Sequence, residues 1–96
     1  MFARVITAQA DTERVGDAID LAERQLPAAR QRPGFQGFQL LSNAQTGELI
    51  IISFWETREQ MEQVAQGTEA GIHDQGIETA GLKSVHLETY EVKLRA

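Results

Sequence analysis

The sequence contains no cysteine, and that one absence removes several chemistries. Disulfides, thiolate metal sites and a cysteine nucleophile are excluded, and the composition fits the cytoplasm, where we expect the protein. Basic residues are also scarce. Nine Lys and Arg face fourteen Asp and Glu, for a formal net charge of −5. A surface that tracks phosphates needs a basic face, so no nucleic-acid partner is expected. No apolar run approaches the roughly 20 residues that span a bilayer, so no membrane partner is expected either. The opening "MFARVITAQAD" lacks a basic stretch followed by a long apolar one, and no signal peptide is expected. The only two histidines, His73 and His86, have no ligand pattern around them that would make a zinc site, and no metal is expected. Gly-rich phosphate loops and the G-x-S-x-G elbow of hydrolases are missing as well. What remains is a single domain over residues 1–96 with a modest core.

Against these absences stands an excess. The stretch "ELIIISFWE", residues 48–56, carries apolar groups at nearly every position and only Ser53 interrupts it. A half-buried strand alternates; this one offers apolar groups to both faces. Before it, "FARVITAQA" reads as a first strand. Asp11 and Thr12 are N-cap candidates for a helix whose stripe runs through Val15, Ala18, Ile19, Ala22, Leu26 and Ala29. Pro27 removes a backbone bond there, so the last turn should kink or restart before "RPG" closes the element. "FQGFQLLSN" is a second strand, and "AQTGE" turns it tightly into the third. Thr57 and Gln60 match a capping box for a second helix with Met61, Val64 and Ala65 on its buried stripe. Gly67 and Gly71 weaken this helix, leaving 68–78 as a separate short helical piece, and a fourth strand follows at about 84–94.

The order is β-α-β-β-α-β, an α+β fold on the ferredoxin-like plan with an antiparallel sheet. Two helices cover one sheet face only. The other face of 49–55 needs a cover, and a second copy of the chain is the simplest, so a homodimer is expected. RNA-recognition domains share this order, but their free sheet face carries aromatic and basic residues. Here it is aliphatic in an acidic chain.

"RPGFQGFQLL", the "TGE" turn, "FWETREQM" and the closing "ETYEV" fall in sequence as they do in the antibiotic biosynthesis monooxygenase (ABM) domain family, which the chain resembles over nearly its whole length. The resemblance implies a dimeric α+β barrel with a pocket between helices and sheet. It implies a cofactor-independent monooxygenase acting on a small aromatic or polycyclic compound; the alternative is a non-catalytic dimeric barrel that binds a small apolar ligand. The heme-degrading branch of the family uses an Asn late in the first strand, a Trp in the second helix and a His beyond it. Thr7 and Val64 stand at the first two positions, with His73 near the third. No heme or other cofactor is therefore expected.

His73 and Tyr90 are the candidate catalytic residues, as proton acceptor and phenol donor to a ligand oxygen. For each, a plain structural place is the alternative: a half-exposed helical histidine beside Asp74, and a buried tyrosine hydrogen bond. Trp55, Val15, Ile19, Met61 and Val64 are the candidate ligand-binding residues, with packing as the alternative for Trp55. Arg4 and Arg58 either bind an acidic substrate or pair on the surface. His86 shares its strand parity with Glu88 and Tyr90, which reads as a polar edge.

Overall fold

The computed structural model describes residues 1–66 and 83–96, with the backbone alone at 64–66. The elements are β1 (Phe2–Gln9), a single 3-10 turn (Thr12–Arg14), α1 (Val15–Arg30), β2 (Phe35–Ser42), β3 (Glu48–Trp55), α2 (Arg58–Gln66) and β4 (Lys83–Glu91). The strands form one antiparallel sheet in the order β2-β3-β1-β4. This is the ferredoxin-like α+β plan, with the most apolar strand, β3, at the centre beside β1. The expected helical piece at 68–78, with Gly67, Gly71 and His73, lies outside the described residues.

Local chemistry explains most boundaries. Asn43 Oδ1 accepts from the backbone N–H of Gln45 at 2.9 Å and of Thr46 at 3.3 Å, which folds the β2–β3 turn. Gly47 closes that turn at φ +78°, and its carbonyl accepts from Ala10 N–H at 2.9 Å, tying the turn to the end of β1. The capping box forms as expected: Gln60 N–H donates to Thr57 Oγ1 at 3.1 Å, and Thr57 N–H to Gln60 Oε1 at 3.2 Å.

Three local expectations are corrected. Asp11 gives no side-chain cap to the turn that leads into α1; its carboxylate lies 3.8 Å from Lys83 Nζ instead. Helix α1 continues through Pro27, which is exposed, so it does not restart there. On that side, water can hydrate the carbonyl that loses its donor. Strand β4 stops at Glu91 rather than Leu94, because the chain then turns across the sheet. Val92 N–H still bonds to the Met1 carbonyl at 2.9 Å, but Arg95 lies over the Phe54 ring at 4.8 Å. Lys93, bonded to Glu91 at 2.9 Å, holds that exposed carboxyl below its ordinary range.

Register assigns the faces. Arg4, Ile6 and Ala8 of β1 sit opposite Ser53, Ile51 and Leu49 of β3, on the side of α1. Val5 and Thr7, opposite Ile52 and Ile50, occupy the helix-free side. The core lies in two parts. At one end Ala10, Ala18 and Leu49 pack with Val15, Leu21 and Leu40; at the other Trp55 and Met61 pack with Phe2 and Phe35. Among the described residues, no helix is long and apolar enough to cross a membrane.

Candidate functional site

Between those two packed ends the interior is hollow. A cleft of about 270 Å³ separates α1 from the middle of β1 and β3. Its cause is in the sequence. Ala22, Leu26 and Ala29 recur at i, i+4 and i+7 and so share one helix face, but two of the three are alanines too short to reach the sheet. Below them the β1–β3 pair at this level is Arg4 opposite Ser53, neither of which closes a helix–sheet gap as Leu or Ile would. A second hollow of about 240 Å³ adjoins it over β2, sharing Ala22, Leu26 and Phe38.

Aromatic rings wall one end. Trp55 is only 2 % exposed and meets Phe35 edge to face, with centroids 5.6 Å apart at 80°. Its indole Nε1–H donates to Ser53 Oγ at 2.9 Å. Phe38 lies on the same side, opposite Ser53. Phe35 and Phe38 differ in parity, and a regular strand would point them to opposite faces. A register shift at Gln36, where Phe35 pairs with Trp55 but Gly37 with Phe54, turns both towards the cleft.

The polar groups of the lining are Arg4, Arg24, Gln25 and Ser53. Arg4 Nε is screened from solvent, so the guanidinium is an inward group rather than a surface charge. Arg58, by contrast, lies over the Phe2 ring at 5.3 Å, outside the cleft lining. No Asp, Glu or His occurs among the described residues of the cleft lining.

The expected site residues distribute unevenly. Trp55 reaches the cleft as part of the packed wall. Met61 is buried behind it, Val15 packs in the opposite end cluster, and Ile19 lines the adjoining hollow. Tyr90 pairs with Ala3 on the helix-free side, 55 % exposed, and His86 pairs with Thr7 on that same side. The side chain of Val64 and all of His73 lie outside the described residues. Sequence reasoning passed over Ser53 and Ile51, although both share the parity of Trp55, and Phe35, which the bulge conceals.

A small α+β domain with a largely apolar cleft and a few converging polar groups has the build of a small-molecule site. Residues 1–71 match the family model for antibiotic biosynthesis monooxygenase, and the chain belongs to that family. No curated protein matches it by sequence. Its fold is shared with a Deinococcus radiodurans protein assigned to the same family (TM-score 0.82, 17 % identity, covering 100 % of this chain and 96 % of that one). The heme-degrader MhuD of Mycobacterium tuberculosis, with two hemes in its active site, is similar (TM-score 0.81, 20 % identity, 100 % and 99 % covered). So is SnoaB, a cofactor-independent oxygenase of Streptomyces nogalater (TM-score 0.77, 12 % identity, 98 % and 94 % covered). At these identities the likeness is one of fold. The described lining of this cleft offers no His, Cys, Met or Tyr as an axial ligand for heme iron.

Proposed function

We propose that the protein is a cofactor-independent monooxygenase acting on a small aromatic or polycyclic compound. Membership of the family supports this reading, and one observation carries it: an apolar cleft walled by Trp55, Phe35 and Phe38 with hydrogen-bond donors at its floor. In such a reaction the ionised aromatic ring is itself the reductant. A ring C–H carbon becomes C=O and the phenol C–O⁻ a second C=O; one atom of O₂ enters the product, and the other leaves as water with the ring hydrogen and the proton released on ionisation. The protein's part is to exclude water and to stabilise the developing anion, which donors already in place do without reorganisation. His73 is proposed as the proton acceptor. The protein acts as a cytoplasmic homodimer joined through its helix-free sheet faces, where Tyr90 would lie at the interface rather than in the cleft.

A second reading is favoured by the lack of a carboxylate or imidazole among the described residues of the cleft lining: a binding barrel without catalysis. One experiment separates the two. Trp55 is the only tryptophan, so its emission reports on the cleft when polycyclic phenols and quinols are titrated in, and an oxygen electrode reports turnover. Quenching with oxygen uptake is the expected result. Quenching without uptake selects the binding barrel, and uptake unaffected by His73→Ala removes that residue from the mechanism. A panel that neither quenches nor raises the melting temperature sinks both readings.

A further inference from the structure

We infer that the cleft takes its ligand as an anion, with Arg4 holding a negatively charged oxygen conjugated to the aromatic ring and Ser53 donating a second hydrogen bond. The inference rests on the ligand-cleft reading above and specifies its substrate class: aromatic carboxylates, phenolates or enolates.

Charge gives the first argument. The chain as a whole carries −5, yet the cleft lining holds two arginines, Arg4 and Arg24, and no acid among its described residues. In an acidic protein that local reversal of sign favours anions and repels cations. Position gives the second. Arg4 is on the central strand β1, opposite Ser53 of β3, and its Nε is screened from solvent. A charge–oxygen contact there is worth more than one at the surface. A guanidinium has five N–H donors, so Arg4 can keep a protein partner and still bind a ligand oxygen.

Hydrogen-bond direction gives the third. Ser53 Oγ accepts the indole N–H of Trp55 at 2.9 Å, which leaves its own proton to be donated. An indole nitrogen cannot accept, so this polarity is fixed. Arg4 and Ser53 thus present donors side by side, next to the rings of Trp55 and Phe38. A neutral oxygen would accept from these half-buried donors more weakly than an anionic one, and an anionic oxygen on a flat ring both matches them and fills the aromatic end. For a phenol, Arg4 would favour the ionised form, the proton passing to water, so binding itself would prepare an electron-rich anion.

The test uses the full chain and four probes of one shape: 2-naphthoate, 2-naphthamide, 2-naphthylmethylammonium and 2-naphthol, followed by Trp55 quenching and by calorimetry. Naphthoate should bind roughly tenfold or more tighter than the amide, with the ammonium weakest. Bound naphthol should show the naphtholate absorption band at lower pH than free naphthol. Arg4→Gln should bring naphthoate down to the level of the amide while leaving the amide unchanged, and Arg4→Lys should restore part of the preference. Equal binding of naphthoate and amide to the unaltered protein, or naphthol ionising at its free pH when bound, would overturn the inference and leave the cleft reading intact. Failure of all four probes to bind would overturn both. Should Arg4→Gln not fold, as judged by circular dichroism, the probe comparison on the unaltered protein decides alone.

Discussion

Ser53 is the one polar residue in the apolar core of β3, and its hydroxyl does two things there. It satisfies the indole N–H of a tryptophan that is 2 % exposed, and it keeps the floor of the cleft from closing. A donor left without an acceptor in a partly buried place costs its full desolvation. Ser53→Ala should therefore lower stability by about 1–2 kcal/mol, read from urea unfolding followed by Trp55 emission. The hydroxyl's share can be isolated in a Trp55→Phe background, where no indole remains to be served. There Ser53→Ala should cost much less; an equal cost in both backgrounds would show that the pair is not coupled. Arg4 has the same lesson at a different charge. Read along the chain it could bind an acidic substrate or pair at the surface, and only register, by setting it opposite Ser53 on the α1 side, makes it a cleft residue.

At the level of elements, two glycines show how one residue type serves opposite ends. Gly16 sits exposed in α1 and a Cβ there would meet nothing within 4 Å, so Gly16→Ala should stabilise by about 0.5–1 kcal/mol. Gly47 is held at φ +78°, where a Cβ would run into the Ala10 carbonyl. Gly47→Ala should destabilise by more than about 1 kcal/mol, because it strains the turn and pushes away the end of β1 that the turn secures. Thermal melts of the two variants should shift in opposite directions, and shifts of the same sign would refute the assignment. Much of this level was legible beforehand. The unbroken apolar run marked a strand with two faces to cover, and Thr57 with Gln60 marked the start of α2, because both are local patterns with local causes. The bulge at Gln36 was not legible, since periodicity assumes a regular pleat and one extra residue rephases everything before it. Nor was the turn of the chain after Glu91, which depends on Arg95 finding the ring of Phe54 on a strand distant in sequence. The cleft was half visible: the stripe Ala22, Leu26 and Ala29 could be read, but not that its alanines would fall above Arg4 and Ser53.

At the scale of the molecule, the described residues leave one sheet face without a covering helix. Helices occupy one side of the sheet; on the other, Val5, Ile50 and Ile52 form an aliphatic centre that is only half-buried in a single chain. Towards the edges of that same side, Leu41 is 49 % and Tyr90 55 % exposed. Among the described residues, the chain's last few cover one end of it, where Arg95 meets Phe54. A contiguous apolar patch of this kind on a sheet is the mark of an interface, and two such faces can pack about 10 Å apart with their side chains interdigitating. Light scattering at micromolar concentration should therefore give twice the 10.7 kDa chain mass. Ile52→Asp, which would bury an unpaired charge at the centre of the contact, should give the single-chain mass, while Gln36→Asp, exposed at the bulge, should leave the dimer intact. The cleft lies on the side of the sheet opposite Ile52, so a folded Ile52→Asp monomer should still quench with naphthol. A unaltered protein that remains monomeric across the micromolar range would refute the pairing of sheets, and loss of quenching on monomerisation would mean that the second copy completes the cleft.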